Sequence, residues 1–227
     1  MYIDFGKFKK KFLYKNNIEV FEDKNLFYLW KFSWIPSSFG KEKSILDLLE
    51  NNELENNFTK NQLTNFDKEQ EYWLLNRLDN DTSWFLYFAK NKETYNKFKF
   101  LQKNENIEKI YYAKVKQDNR IWTIFVGLDK VIDFPIMHKN KTKMIVIKTK
   151  NDEKKWRWKK HFVKTHIKVI EKKGSYLWLK VVIKKWIRHQ IRAHLSSIWA
   201  PIVWDKLYWW EDSDKLYLFS VGVIWFS

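Results

Sequence analysis

The chain has 227 residues, and 43 Lys+Arg against 27 Asp+Glu give a formal charge of +16. At about 100–200 residues per domain this length reads as one domain with at most a small appendage, and 45% hydrophobic residues supply a core and exclude overall disorder. Zero cysteines exclude a disulfide framework, a thiol nucleophile and a cysteine-ligated zinc, while the lack of a ~20-residue apolar run or a secretory apolar core predicts a soluble, cytoplasmic protein with no membrane partner.

In chain order, residues 1–24 read as a loose basic leader, and residues 25–227 as a single domain with no internal repeat or linker. Asn25–Lys31 (NLFYLWK) is a short apolar strand, followed by a turn around Ile35–Gly40. Ser44–Glu55 is predicted helical, with Ser44 as cap and Ile45, Leu48 and Leu49 at i, i+3, i+4. Trp84–Lys90 is a strand, and Lys92–Gln102 a helix with Tyr95, Phe98 and Leu101 on one side. Lys109–Lys116 and Arg120–Gly127 read as a hairpin. In Phe162–Glu171, Val163, Thr165, Ile167 and Val169 alternate with Lys164, His166 and Lys168, the period of a half-buried antiparallel strand. A turn at Lys172–Ser175 leads to its partner, with Leu177, Leu179, Val181 and Ile183 inward and Lys180 and Lys184 outward. Arg188–Ile198 returns to helical spacing, and Lys215–Phe226 closes as a hydrophobic strand. Runs of strands with a few helices define the expected fold class as α+β, with a mixed, largely antiparallel sheet and a few flanking helices.

The charge is not spread evenly. From His138 to Arg192 there are 19 basic and 3 acidic residues, and the remainder carries 24 of each sign. A neutral body with one cationic stretch attracts a polyanion through counterion release. RNA or DNA is favoured over a membrane, since no amphipathic helix accompanies the lysines. Composition is also skewed: 5 Gly and 14 Trp, where glycine near ~7% of residues is usual. These figures predict that many of the tryptophans are glycines in the natural protein, from UGA codons read as glycine.

Asn76–Ser83 (NRLDNDTS) sets a carboxylate, Asp79, in a polar loop between apolar segments. Taken alone, Asp79 reads equally well as a loop-capping residue. The order of motifs adds to this. Arg77-Leu78-Asp79-x-x-Thr82-Ser83, then Lys109-x-Tyr111-x-Ala113-x-Val115, then Arg188-His189-Gln190-Ile191-Arg192-x-His194-Leu195, then Pro201-Ile202-x-Trp204-Asp205-x-x-Tyr208-Trp209 together resemble the RluA-type RNA pseudouridine synthase family over residues 25–226. Seven tryptophans, at 34, 73, 84, 186, 199, 204 and 209, fall where that family carries glycine. The sequence departs from the pattern at Gln117 for a glycine, Lys31-Phe32 for Lys-Pro, and Asn76 for a histidine, and the leader is short for an S4-type RNA-binding domain.

The resemblance implies the pseudouridine synthase fold and an isomerase that converts specific uridines of rRNA or tRNA to pseudouridine, with no cofactor and no metal, acting as a monomer on RNA. It implies Asp79, Tyr111 and Arg192 as the catalytic set. Asp79 either attacks the sugar or helps remove a proton, two roles open to a carboxylate. Arg192 pairs with that aspartate, a cation at about 4 Å favouring the ionised acid. Tyr111 packs on the target base and assists proton transfer at uracil C5. Arg77 helps displace the base, which leaves the stack to react. RNA contacts are expected at Arg77, Arg188, His189, Lys154, Lys155, Arg157, Lys159 and Lys160. His189 and His194 lack a third ligand at metal spacing. Two other readings stand beside this one: an RNA-binding protein of the same fold without catalysis, expected if Trp84 and its companions are genuine, and a metal-dependent nuclease, for which the loop offers only Asp79 and Asp81.

Overall fold

The computed structural model describes residues 20–22, 24–31, 35–40, 42–50, 68–116, 124–155, 158–208 and 216–225. Most of the leader, Trp34, residues 51–55 of the first predicted helix, Gln117, Arg120, Arg157 and Trp209 lie outside them. The chain divides into two compact units, residues 1–107 with 219–227, and residues 108–218.

In the first unit, β1 (Val20–Glu22), β2 (Leu26–Lys31), β3 (Ser83–Ala89) and β10 (Leu218–Trp225) lie in that order. β2 is antiparallel to both β1 and β3, and β10 runs parallel to β3. Nearly every residue of β2 and β3 is buried, which explains why neither shows polar alternation. Helix α1 (Ile45–Glu50) starts where Ser44 and Asp47 cap each other: the Ser44 amide and hydroxyl donate to Asp47 Oδ2 at 2.8 and 2.6 Å, and the Asp47 amide donates to Ser44 Oγ at 3.2 Å. Its buried face is Ile45, Leu46 and Leu49, with Leu46 in place of the expected Leu48. Helix α2 (Lys92–Lys103) is capped by the Asn91 side chain, which accepts from the Thr94 amide at 2.8 Å. It seats Phe98 and Leu101 against Leu26, Tyr28, Tyr87 and Val223. A short 3-10 helix, Lys68–Trp73, leads into the Asp79 loop.

In the second unit, β4 (Ile107–Lys116), β9 (Tyr176–Ile183), β8 (Thr165–Lys173) and β5 (Asp129–Ile132) pair antiparallel in that order. The alternation read from sequence holds: Thr165, Ile167, Val169, Leu177, Leu179, Val181 and Ile183 are buried, and His166 and Lys168 are exposed. β8 and β9 join through Gly174-Ser175, with Gly174 at φ +60°, the sign a two-residue hairpin loop demands. The expected hairpin from Lys109–Lys116 into Arg120–Gly127 is corrected. β4 pairs with β9 instead, and Ile124–Gly127 is turn and irregular chain, with Gly127 at φ +90°. A separate pair, β6 (Ile136–His138) with β7 (Met144–Val146), and helices α3 (Lys150–Lys155) and α4 (Gln190–Ser197) complete the unit. Ile136, Met144, Val163 and Ala193 form a small core beneath α4.

Five of the seven tryptophans singled out by sequence are described, and four have positive φ: Trp73 (+59°), Trp84 (+83°), Trp199 (+62°) and Trp204 (+64°). Trp199 follows the Ile198 cap of α4. Its amide donates to the Ser196 carbonyl, and the Ala200 amide to that of Leu195, the bond pair of a Schellman motif whose left-handed residue is usually glycine. Trp204 is the third residue of a turn closed by the Asp205 amide on the Ile202 carbonyl. A positive φ there is again a glycine preference.

Candidate active site

The Asp79 loop is pinned from three sides. Before it, Asn76 is buried. Its amide nitrogen donates to the Phe85 carbonyl at 3.2 Å, and its oxygen accepts from the Tyr87 amide at 2.7 Å, locking the loop's entry to β3. Buried Ser37 both accepts from the Leu78 amide and donates to the Leu78 carbonyl, each at 3.0 Å. The loop closes as a tight turn, with the Thr82 amide on the Asp79 carbonyl at 2.9 Å. The third anchor is Lys31, the last residue of β2. Its Nζ donates to the carbonyls of Asn80 at 2.9 Å, Thr82 at 2.8 Å and Asp79 at 3.3 Å. Burial pulls its pKa down to about 7, against the charges of Asp79 and Asp81, which raise it.

The outcome is a backbone with its orientation fixed and a half-buried Asp79 side chain at its apex. Arg77 is exposed and forked onto Glu71, with Nη2 to Oε1 at 2.6 Å and Nε to Oε2 at 3.3 Å. At the surface such a pair contributes little, on the order of 1 kcal/mol or less, so Arg77 exchanges partners readily. Directly after the loop, the Trp84 ring packs on Trp30 at 5.2 Å and Phe219 at 4.8 Å between centroids.

The second unit holds Tyr111 and Arg192. Tyr111 is 2% exposed on the buried face of β4, in register with Val181. Lys109, buried two residues earlier on the same face, stands in the motif quoted from sequence, where no role was given to it. Arg192 projects from α4 and is held bidentately by Asp205, with Nε to Oδ2 at 2.9 Å and Nη2 to Oδ1 at 2.7 Å. Both side chains are almost wholly buried. Asp205 Oδ1 also accepts from the Leu207 and Tyr208 amides, each at 3.1 Å, so the carboxylate is saturated and its geometry is set by a turn. The Tyr208 ring lies under the guanidinium at 5.5 Å, and its hydroxyl donates to the Met144 carbonyl and accepts from the Met144 amide, each at 3.0 Å. Asp205 and Tyr208 thus orient Arg192. Both stand in a motif quoted from sequence, where no role was given to either.

α4 is fixed at its start by buried Gln190, which bonds the Lys164 carbonyl, the Thr165 hydroxyl and the Ile187 amide. His194 Nε2 donates to the Phe134 carbonyl at 2.9 Å, leaving Nδ1 to accept from the Thr165 hydroxyl at 2.8 Å. Its role is therefore to hold the helix. His189 is buried beside Tyr208, with Nδ1 3.4 Å from its hydroxyl. Burial, then the charges of Arg192, Arg188 and His138, lower its pKa to about 3, so the ring is neutral at pH 7. Arg188 is exposed and donates to the Lys141 carbonyl at 2.9 Å. Of the basic run, Lys159 is exposed and Lys160 half-buried, the backbone of Lys154 and Lys155 ends α3, and Arg157 lies outside the described residues. Asp79 and Arg77 therefore belong to the first unit, and Tyr111, Arg188, His189 and Arg192 to the second.

The described residues form a mixed, mostly antiparallel α+β fold, and comparison with known proteins identifies its family. The family model for RNA pseudouridylate synthase matches residues 25–197, and the chain belongs to that family. It is 29% identical over 141 residues to the ribosomal large subunit pseudouridine synthase C of Buchnera aphidicola, and 33% identical over 142 residues to an RNA pseudouridine synthase of Helicobacter pylori. Each match covers 62% of this chain but 41% and 52% of the relative, so the chain spans about half the length of the curated relatives it matches. Two solved human structures share the fold. RNA pseudouridylate synthase domain containing 4 has a TM-score of 0.59 at 20% identity, covering 90% of this chain and 82% of its own. Domain containing 1 has a TM-score of 0.64 at 16% identity, covering 91% and 78%.

Proposed function

We propose that residues 25–227 act as the catalytic domain of an RNA pseudouridine synthase, working in the cytoplasm with Asp79 as the catalytic carboxylate. The observation that carries this reading is the loop itself: three buried or half-buried anchors, Lys31, Ser37 and Asn76, hold the backbone on either side of one half-exposed carboxylate. Rigid backbone at a reacting group is what positional catalysis needs. The net reaction conserves every atom. The C1′–N1 bond breaks, the uracil turns and a C1′–C5 bond forms; the proton on C5 is lost and N1 gains one. A carboxylate supports it by attacking C1′ and then leaving, or by assisting removal of a proton. In this reading Tyr111 and Arg192 complete the catalytic set that the motifs imply, with Asp205 fixing the Arg192 guanidinium, and Arg77 releases Glu71 to replace the extruded base. Arg188 and the Lys154–Lys160 run contact the RNA, whereas His189, buried beside Tyr208, packs against that ring instead of reaching the RNA. The names of the Buchnera relatives favour ribosomal over transfer RNA as substrate. Incubating the chain, and its form with glycine at the seven tryptophan positions, with uridine-containing rRNA and tRNA transcripts and assaying for pseudouridine tests the reading; no product from either form would overturn it.

The positive-φ tryptophans support a second part of the proposal: the natural chain carries glycine at the seven positions, encoded by UGA. A glycine accepts φ near +60° without strain, whereas each L-residue there costs on the order of 1 kcal/mol or more. UGG codons at these positions in the gene, or tryptophan in peptides of the protein isolated from its source, would refute it. If the indoles are genuine, Trp84 beside the loop favours the alternative of an RNA-binding protein without catalysis, which would bind the same transcripts and leave every uridine unchanged.

A further inference from the structure

The surroundings of Arg192 are built from the β6–β7 hairpin as well as from α4. The loop of that hairpin presents Lys143 with its backbone fixed. The Lys143 carbonyl accepts from the Lys139 amide at 2.8 Å, and its amide donates to Asn140 Oδ1 at 2.8 Å, which also takes the Thr142 amide at 2.9 Å. From that platform the half-buried Lys143 donates Nζ to the Leu207 carbonyl at 2.5 Å and stands over the Tyr208 ring at 4.8 Å. Arg192 lies over the same ring at 5.5 Å. Met144, the next residue, is held by the Tyr208 hydroxyl at both its amide and its carbonyl.

These contacts make one unbroken chain. Lys143 and Met144 hold Leu207 and Tyr208, the amides of Leu207 and Tyr208 hold Asp205 Oδ1, and Asp205 holds the Arg192 guanidinium through both of its oxygens. Charge alone would not choose this place for an ammonium. Burial, then the charge of Lys139, lower the Lys143 pKa; Asp205 raises it and Arg192 lowers it again. Asp205 is already forked by Arg192, so two neighbouring cations share one carboxylate and repel each other. The Leu207 carbonyl and the face of the Tyr208 ring keep the ammonium there, a ring face attracting a cation by about 0.5–1 kcal/mol. What Lys143 supplies is therefore geometry: it stops the 205–208 turn from shifting and carrying the guanidinium with it.

We propose that Lys143 is a positioning residue for Arg192, holding the guanidinium in place through the Leu207 carbonyl and the Tyr208 ring. It rests on the reading above that Arg192 belongs to the catalytic set. The test pairs turnover of a uridine-bearing RNA with NMR of the arginine Nε–H signals, in the chain as given and in its seven-glycine form. Lys143→Met should lower kcat about tenfold with RNA affinity kept within about twofold, and the Arg192 Nε–H should exchange with solvent about tenfold faster. Lys143→Arg restores a donor and a cation and should recover both readings to within about threefold. Tyr208→Phe keeps the ring and removes only the bonds to Met144; it should speed the same exchange about threefold, and it carries the test where the methionine variant does not fold. Unchanged kcat and exchange in Lys143→Met, or unchanged exchange in Tyr208→Phe, overturns the proposal. So does a loss confined to RNA affinity with a salt slope smaller by about 1, the mark of a phosphate contact. A wild type that makes pseudouridine while Arg192 ignores Lys143→Met sinks this proposal alone. Exchange that responds to Lys143→Met in a chain that makes no pseudouridine sinks the isomerase reading and keeps the hold of Lys143 on Arg192.

Discussion

A guanidinium and a carboxylate buried together commit each other. Arg192 and Asp205 are 3% and 0% exposed, so removing one strands the other's charge away from water. Arg192→Ala is expected to cost about 3–5 kcal/mol, read as a lower midpoint in urea denaturation. Arg192→Lys keeps the charge, loses the fork and should fall between the two. His189 sets a pH dependence. Its pKa in the fold, about 3, lies below the ordinary 6.5, so the unfolded chain binds the extra proton first. The stability tied to its neutral ring is complete above about pH 6.5 and is lost as pH falls toward 3. His194, lowered by its own burial, acts in the same direction. The urea midpoint should therefore drop between pH 7 and pH 5, and His189→Asn should flatten that drop. An unchanged slope in the variant would contradict the assignment.

Among the elements, caps carry much of the definition. Asn91→Ala removes the bond to the Thr94 amide and should destabilise α2 by about 1 kcal/mol, measurable by thermal denaturation. Trp199→Gly tests the glycine proposal in its cleanest setting, because the residue is 59% exposed and little packing is lost. A glycine at this left-handed position should stabilise the chain by about 1 kcal/mol, where an exposed Trp→Gly change elsewhere would destabilise it. β8 and β9 were legible because each buries one face and wets the other. β6 and β7, three residues each, are too short to show a period. Helix α3 (KNDEKK) has no apolar residue and so no helical stripe; its one signal is a mutual cap, with Asp152 Oδ2 accepting from the Thr149 amide and the Thr149 hydroxyl accepting from the Asp152 amide. The false hairpin arose because β4 finds its partner in β9, far along the chain, and local spacing carries no trace of that pairing.

At the level of the molecule, the catalytic candidates were legible through motif order, while the groups that hold them were not. Lys31 looks in sequence like a departure from a Lys-Pro pair, yet it ties three carbonyls of the Asp79 loop. Such long-range anchoring joins residues about fifty positions apart and leaves no periodic mark. The excess charge of the His138–Arg192 stretch predicts RNA binding that weakens steeply with salt, by at least about a hundredfold from 50 to 200 mM if half a dozen phosphates are neutralised. The most direct measurement is tritium release from RNA labelled at uracil carbon 5, using the chain as given and its seven-glycine form, each with and without Asp79→Ala. Release by the glycine form, reduced to background by Asp79→Ala with RNA affinity kept within about twofold, is the predicted result. Release that survives Asp79→Ala, or its absence from both parent forms, would contradict the account.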